Sequence, residues 1–354
     1  MNDLLRILVA GCGSIGHRHI RILIRSLGNN NVLIYDDDVG KAQKIKDEFP
    51  EVTIADSFEA GIKLADIVFI LTPTKWHIPM ATEALRAGCH VFIEKPISTD
   101  TKGVSDLEKL AVEKNKKVMV GLCFRYHEGI LKLKRVADSG RVGRIISIRA
   151  LMGEHFPAIH PNYQSMYYAK YSGAFELMHD LDLAIWFANQ KVTHVSAAFG
   201  SFSDIGIRAP DTVEFLLEFE DRCVATVHLD FFQNPRRRQL ELIGSSGVAI
   251  IDFASWDEYT LSVFDADANK WEKNTFDCAR DDMFIAEDQE FLEAIIYDKP
   301  ILCDIKEACK SMVVIESAQT KKQPDDFFPE FTENTALCEG GNVKSDKRDC
   351  SDIS

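Results

Sequence analysis

Six residues constrain this chain more than any others: Gly11-Cys12-Gly13-Ser14-Ile15-Gly16. An apolar run, residues 6–10, precedes them, and a helical pattern reaching to residue 27 follows. A strand, a glycine turn and a helix form the context in which G-x-G-x-x-G holds a dinucleotide. Gly11 would make the tight turn, Gly13 would let a pyrophosphate approach the backbone, and Gly16 would let helix and strand pack closely. The amides of Ser14 and Ile15, at the start of the helix, would face the phosphates.

A second strand, residues 31–35, ends in three adjacent acids, and Asp36 follows Gly16 by 20 positions. An acid at that separation accepts hydrogen bonds from ribose hydroxyls. It also repels a 2′-phosphate, which favours NAD over NADP. Asp36, directly after the apolar run, is the first choice over Asp37 and Asp38. The competing reading is an acidic turn before a helix starting near residue 40. Further strands at 67–71, 91–94 and 117–122 alternate with helices at 78–87 and 102–115. Repeated βαβ units predict a doubly wound parallel sheet.

The strand at 91–93 runs into Glu94, Lys95 and Pro96. Charged residues at the carboxyl end of a buried strand are costly unless they solvate the strand end or serve a site. In an open α/β sheet that end is where ligands bind. Lys95 is therefore the first catalytic candidate.

After Arg125-Tyr126-His127 the pattern changes. A helix over 130–138 precedes a strand over 145–152 and a polar, aromatic loop containing Tyr163 and Tyr167. A helix starting at Gly173 carries Glu176, His179 and Asp182 at i, i+3 and i+6, which predicts one shared helix edge. A histidine flanked by carboxylates would be held in one tautomer with its pKa raised. The competing reading is a solvated polar edge. Six β-rich runs between 193 and 264, joined by short turns, predict an open, mostly antiparallel sheet. Gln233 and Arg238, near the end of one of these runs, are secondary substrate candidates. Helices at 282–296 and 304–319 close the fold. The expected division is 1–124 for nucleotide binding, 125–322 for substrate binding and oligomer contacts, and 323–354 as a polar tail.

Composition excludes several classes. A net charge of −14 argues against general nucleic-acid binding. No apolar run reaches membrane-spanning length, and the N-terminus passes directly into a strand and glycine turn, unlike a signal peptide. The nine cysteines are odd in number and lack CxxC spacing, so they read as reduced thiols of a cytoplasmic protein. His155, His160 and His179 have no ligand spacing, and no metal is expected.

GCGSIGHRH, LTPTKWH, EKP and a glycine-led helix bearing E-x-x-H-x-x-D together resemble the Gfo/Idh/MocA oxidoreductases, in the family's order, over roughly residues 5–320. The resemblance implies a Rossmann domain followed by an α/β domain, often used for oligomer contacts, hence a homodimer or homotetramer. It implies NAD(P)-dependent hydride transfer from a secondary hydroxyl of a sugar, glycoside or polyol, giving a keto-sugar. Lys95 would touch both the cofactor and the reacting hydroxyl, and His179, with Glu176 one turn before it, would move the proton. Thr72, Pro73, His77 and Glu94 would line the cofactor. Arg125, Tyr126, His127, Tyr163, Tyr167 and Asp182 are candidates for sugar hydroxyls. This chain departs from the family pattern at Ser172, Thr74 and Glu176. Two alternatives stay open: NAD held tightly and recycled through a keto-sugar in an elimination or epimerisation, or a non-catalytic NAD-binding sugar sensor.

Overall fold

The computed structural model describes residues 5–159, 172–266 and 268–321. The first half is a six-stranded parallel sheet of β1 (Ile7–Ala10), β2 (Val32–Tyr35), β3 (Thr53–Ile54), β4 (Ile67–Ile70), β5 (His90–Glu94) and β6 (Val118–Gly121). The strand order is β3-β2-β1-β4-β5-β6. All residues of β1, β4 and β6 are buried, as strands covered on both faces must be, so their sequences are continuous apolar runs. Helices α1 (Ser14–Arg21), α2 (Val39–Glu48), α3 (Phe58–Ile62), α4 (His77–Arg86) and α5 (Val104–Glu113) connect them. The order reverses between β1 and β4, and the crevice beyond their carboxyl ends is where such a sheet takes ligands.

Helix α6 (Glu128–Asp138) leads to an eight-stranded open sheet. Its strands are β7 (Ile145–Gly153), β8 (Val192–Gly200), β9 (Thr212–Phe219), β10 (Val224–Asp230), β11 (Arg237–Gly244), β12 (Val248–Asp252), β13 (Glu258–Asp265) and β14 (Lys270–Asp277). All neighbours are antiparallel except β7 and β10. The sequence reading lacks β3, only two residues long, and β14, a polar edge strand whose side chains are mostly exposed. Neither carries the apolar alternation on which a strand is recognised.

The short α7 (Phe156–Ile159) follows β7, and α8 (His179–Ala188) lies across the second sheet. Two last helices, α9 (Asp282–Ile296) and α10 (Ile305–Thr320), return to the first half. Phe291 of α9 packs edge-on against Phe69 and Phe92, with ring centroids 5.8 and 5.9 Å away. His19 of α1 sets Nδ1 2.9 and 3.0 Å from the two oxygens of buried Asp288 in α9. Among the described residues no helix is long and apolar enough to cross a membrane.

Candidate active site

The glycine turn has the three distinct environments that a dinucleotide cradle needs. Gly11 has φ +102°, and a Cβ there would lie 2.5 Å from the Leu71 carbonyl oxygen of the turn after β4. A Cβ on Gly16 would fall 1.9 Å from the Gly11 carbonyl oxygen, so only glycine lets α1 sit this close to β1. A Cβ on Gly13 would meet nothing within 4 Å, which leaves that face open for a ligand. Gly13 also caps α1 without a side-chain partner, leaving the first-turn amides of Ser14 and Ile15 available. The Asp36 carboxylate accepts from the Cys12 N–H at 2.7 Å and from the Asp38 N–H at 2.9 Å, so β2 delivers it to the edge of this turn. Asp38 caps α2 through the Gly40 N–H, at 3.0 Å, and Asp37 is exposed. A dinucleotide with its pyrophosphate at Gly13 and a ribose at Asp36 fits these residues.

The turns after β4 and β5 are tied together by His77. One ring nitrogen lies 2.8 Å from the Thr72 carbonyl oxygen and the other 2.8 Å from that of Pro96. Expected as a cofactor contact, His77 is buried, and both its ring nitrogens face protein carbonyls. It shapes the loops that present Pro73, which is exposed, and Lys95.

Lys95 Nζ donates to the backbone carbonyl of Glu176 at 3.2 Å, bridging the end of β5 to the segment before His179. That segment is not the single helix read from the sequence. Gly173–Leu177 is a 3₁₀ turn, and α8 begins only at His179. Gly173 requires glycine: its φ is +71°, and a Cβ would meet the Pro210 carbonyl oxygen at 2.2 Å. The change from three to 3.6 residues per turn breaks the shared edge predicted for Glu176, His179 and Asp182. No hydrogen bond joins Glu176 to His179, and His179 Nδ1 is buried without a partner among the described residues. Its ring instead lies 5.0 Å from that of Phe124. Burial, then the Lys95 and Arg238 cations, push the His179 pKa well below the usual 6.5. This reverses the raised value expected from flanking carboxylates: at neutral pH the imidazole is uncharged and can accept a proton. Burial raises the Glu176 carboxyl above its ordinary 4.5, with Lys95 opposing, and likewise raises that of Glu94.

The structure places four substrate candidates elsewhere. Arg125 is fully buried, with Nε and Nη2 on the Asp182 carboxylate at 2.8 and 2.7 Å and Nη1 on Glu307 at 3.0 Å. Asp182 thus points into this ion pair, away from His179's environment. Tyr126 is buried. His127 caps α6 by accepting from the Gly129 N–H at 3.1 Å, and burial lowers its pKa to about 4. Arg125 and Asp182 thus tie the turn after β6 to α8 and, through Glu307, to α10. Tyr163 and Tyr167 lie outside the described residues.

Asp180 and Phe124, which the sequence reading did not single out, also enter the site, together with Arg238, a secondary substrate candidate. Asp180 receives Arg238 through two hydrogen bonds, 3.0 and 2.7 Å, both side chains buried. Arg238 in turn lies 3.4 Å over the Phe124 ring, beside His179. The pairing of α8 with β11 spans 58 residues of sequence, and no local motif announces it. Beside Glu176 a cleft of about 500 Å³ opens between Pro96, Phe175, Met178, Met312 and Ile315. A larger cavity, about 620 Å³, lies around His90 and Lys117, at the amino ends of β5 and β6 and far from these groups.

Known proteins share this fold. Residues 5–122 match the GFO/IDH/MocA oxidoreductase family, NAD-binding Rossmann fold, and residues 130–250 match that family's C-terminal domain. An inositol 2-dehydrogenase of Corynebacterium glutamicum strain R is 26% identical over 238 residues, 65% of this chain and 68% of that protein. A UDP-N-acetylglucosamine 3-dehydrogenase structure from Acidithiobacillus ferrooxidans superposes with a TM-score of 0.76 at 22% identity, covering 89% of this chain and 97% of that one. The scyllo-inositol dehydrogenase of Lactobacillus casei, solved with NAD(H) and scyllo-inositol, gives 0.74 at 19% identity, covering 89% and 96%. At such identities the solved structures share the fold.

Proposed function

The chain belongs to the GFO/IDH/MocA oxidoreductase family, and on that premise we propose that it moves a hydride from a secondary hydroxyl of a sugar, glycoside or polyol to NAD, leaving a keto-sugar. One observation carries the reading: the Lys95 ammonium bridges the carboxyl end of β5 to the Glu176 carbonyl, on the segment that leads into an uncharged His179, beside an open cleft. Gly11, Gly13, Gly16 and Asp36 would hold the cofactor, with Pro73, Glu94 and Lys95 along its other end. Bound NAD supplies the hydride acceptor. His179, uncharged at neutral pH, takes the proton of the reacting hydroxyl. Lys95 donates a hydrogen bond to the same oxygen as negative charge develops there. Glu176 acts through its backbone, its carbonyl orienting the Lys95 ammonium.

Formation of NADH with a panel of sugars, glycosides, inositols and nucleotide sugars tests the proposal. Lys95→Ala is expected to lower turnover by at least about 10²-fold while NAD affinity is retained. Full activity in that variant would remove Lys95 from the chemistry. Silence of the wild type across the panel, with NAD bound, would turn the reading to a recycled cofactor or a sensor.

A further inference from the structure

Trp256, in the turn between β12 and β13, carries two cations. The guanidinium carbons of Arg236 and Arg280 each lie 4.2 Å from its ring centroid. Arg238 is close behind them over Phe124, whose ring is 6.2 Å from that of Trp256 and 5.0 Å from that of His179. Two rings thus join this group to the proton-accepting histidine. On the glycine-turn side stand Arg18 and Arg21 of α1, sharing Asp281 at 3.3 and 2.5 Å.

The charges do not balance. Asp180 answers Arg238, Glu154 answers Arg236 at 3.0 Å, and Asp281 answers both Arg18 and Arg21. Exposed Arg280 has no acid within ion-pair distance among the described residues, and Arg236 Nη2 is buried with no hydrogen-bond partner among them. Among the described residues, three carboxylates thus pair four of these five guanidiniums and leave Arg280 over, in a chain whose net charge is −14. Burial and then the neighbouring Arg238 lower the Arg236 pKa to about 10, with Glu154 and Asp180 opposing. A cluster of one sign, held on aromatic faces, concentrates ligands of the opposite sign.

We propose that Arg236 and Arg280, seated on Trp256, form a subsite for an anionic substituent, a carboxylate or a phosphate, on the sugar whose hydroxyl His179 deprotonates. The proposal rests on the functional reading above, so its test is a binding measurement independent of turnover. Protein saturated with NAD is titrated calorimetrically with D-glucose, D-glucuronate and D-glucose 6-phosphate. At least one anion is expected to bind about tenfold or more tightly than glucose, and Arg280→Gln to remove that advantage while glucose and NAD affinities stay unchanged. The tighter of the two anions identifies the source as a uronate or a sugar phosphate. Equal affinity for glucose and both anions, or no binding of either anion, overturns the proposal. So does an Arg280→Gln variant that loses NAD affinity, because the cluster then serves the cofactor's pyrophosphate. Failure of hydride transfer in the sugar panel would leave these affinities measurable.

Discussion

His179 shows how far a single residue's chemistry depends on its surroundings. Its spacing from Glu176 and Asp182 suggests a histidine held positive between acids. In the folded chain its near neighbours are Phe124, Lys95 and Arg238, and burial with these two cations favours the uncharged ring. The consequence can be measured directly. A lowered pKa means that the ring gains its proton only when pH falls well below 6.5. NMR titration of the His179 ring protons, assigned by their loss in His179→Gln, should therefore show no transition between pH 6.5 and 8. The acid limb of kcat/KM should lie below 6.5 for the same reason. A midpoint above 6.5 would mean that an acid pairs with the ring in solution, and the base assignment would need another residue.

At the scale of elements, legibility follows burial. Strands β1, β4, β5 and β6 are apolar runs ended by glycine, proline or charge, and their order follows from repeated βαβ units. In the Gly173 segment a 3₁₀ turn and the α-helix that follows it share one apolar pattern, which reads as a single helix; the close approach of Gly173 to the Pro210 carbonyl marks the break. The end of β2 shows the opposite case, where structure separates residues that sequence leaves equivalent. Of its three acids, Asp38 is spent on capping α2, Asp37 is exposed, and Asp36 reaches the glycine turn through Cys12. Asp36→Ala is accordingly expected to lower the NAD-to-NADP ratio of kcat/KM by about tenfold or more, whereas Asp37→Ala leaves it unchanged. Equal losses with both cofactors would make Asp36 a support for the Cys12 amide, with discrimination residing elsewhere. Asp38→Ala should cost about 0.5–2 kcal/mol of stability through loss of the cap, again with no change in preference.

Across the whole molecule, buried charges link the turn after β6 to the helices of the second half. Arg125, just past β6, meets Asp182 of α8 and Glu307 of α10, and α8 is the helix that begins with His179. None of this is visible in sequence: 57 residues separate Arg125 from Asp182, and each alone resembles a sugar-binding side chain. A buried ion pair is weak evidence of net stabilisation, but removing one partner strands the other charge, at about 3–5 kcal/mol. Asp182→Asn keeps the shape and removes the charge, so urea denaturation followed by tryptophan fluorescence should report a loss of that size with an unchanged slope. The double variant Arg125→Met with Asp182→Leu removes both charges and should recover most of the loss. Glu307 keeps its second partner, Lys310, at 2.6 Å, and so is not itself stranded. If Asp182→Asn instead costs under about 1 kcal/mol, Glu307 alone satisfies Arg125, and the register of α8 against β6 rests on apolar packing. NAD affinity separates these outcomes from a general collapse, since the glycine turn and Asp36 lie on β1, α1 and β2, which this ion pair does not touch.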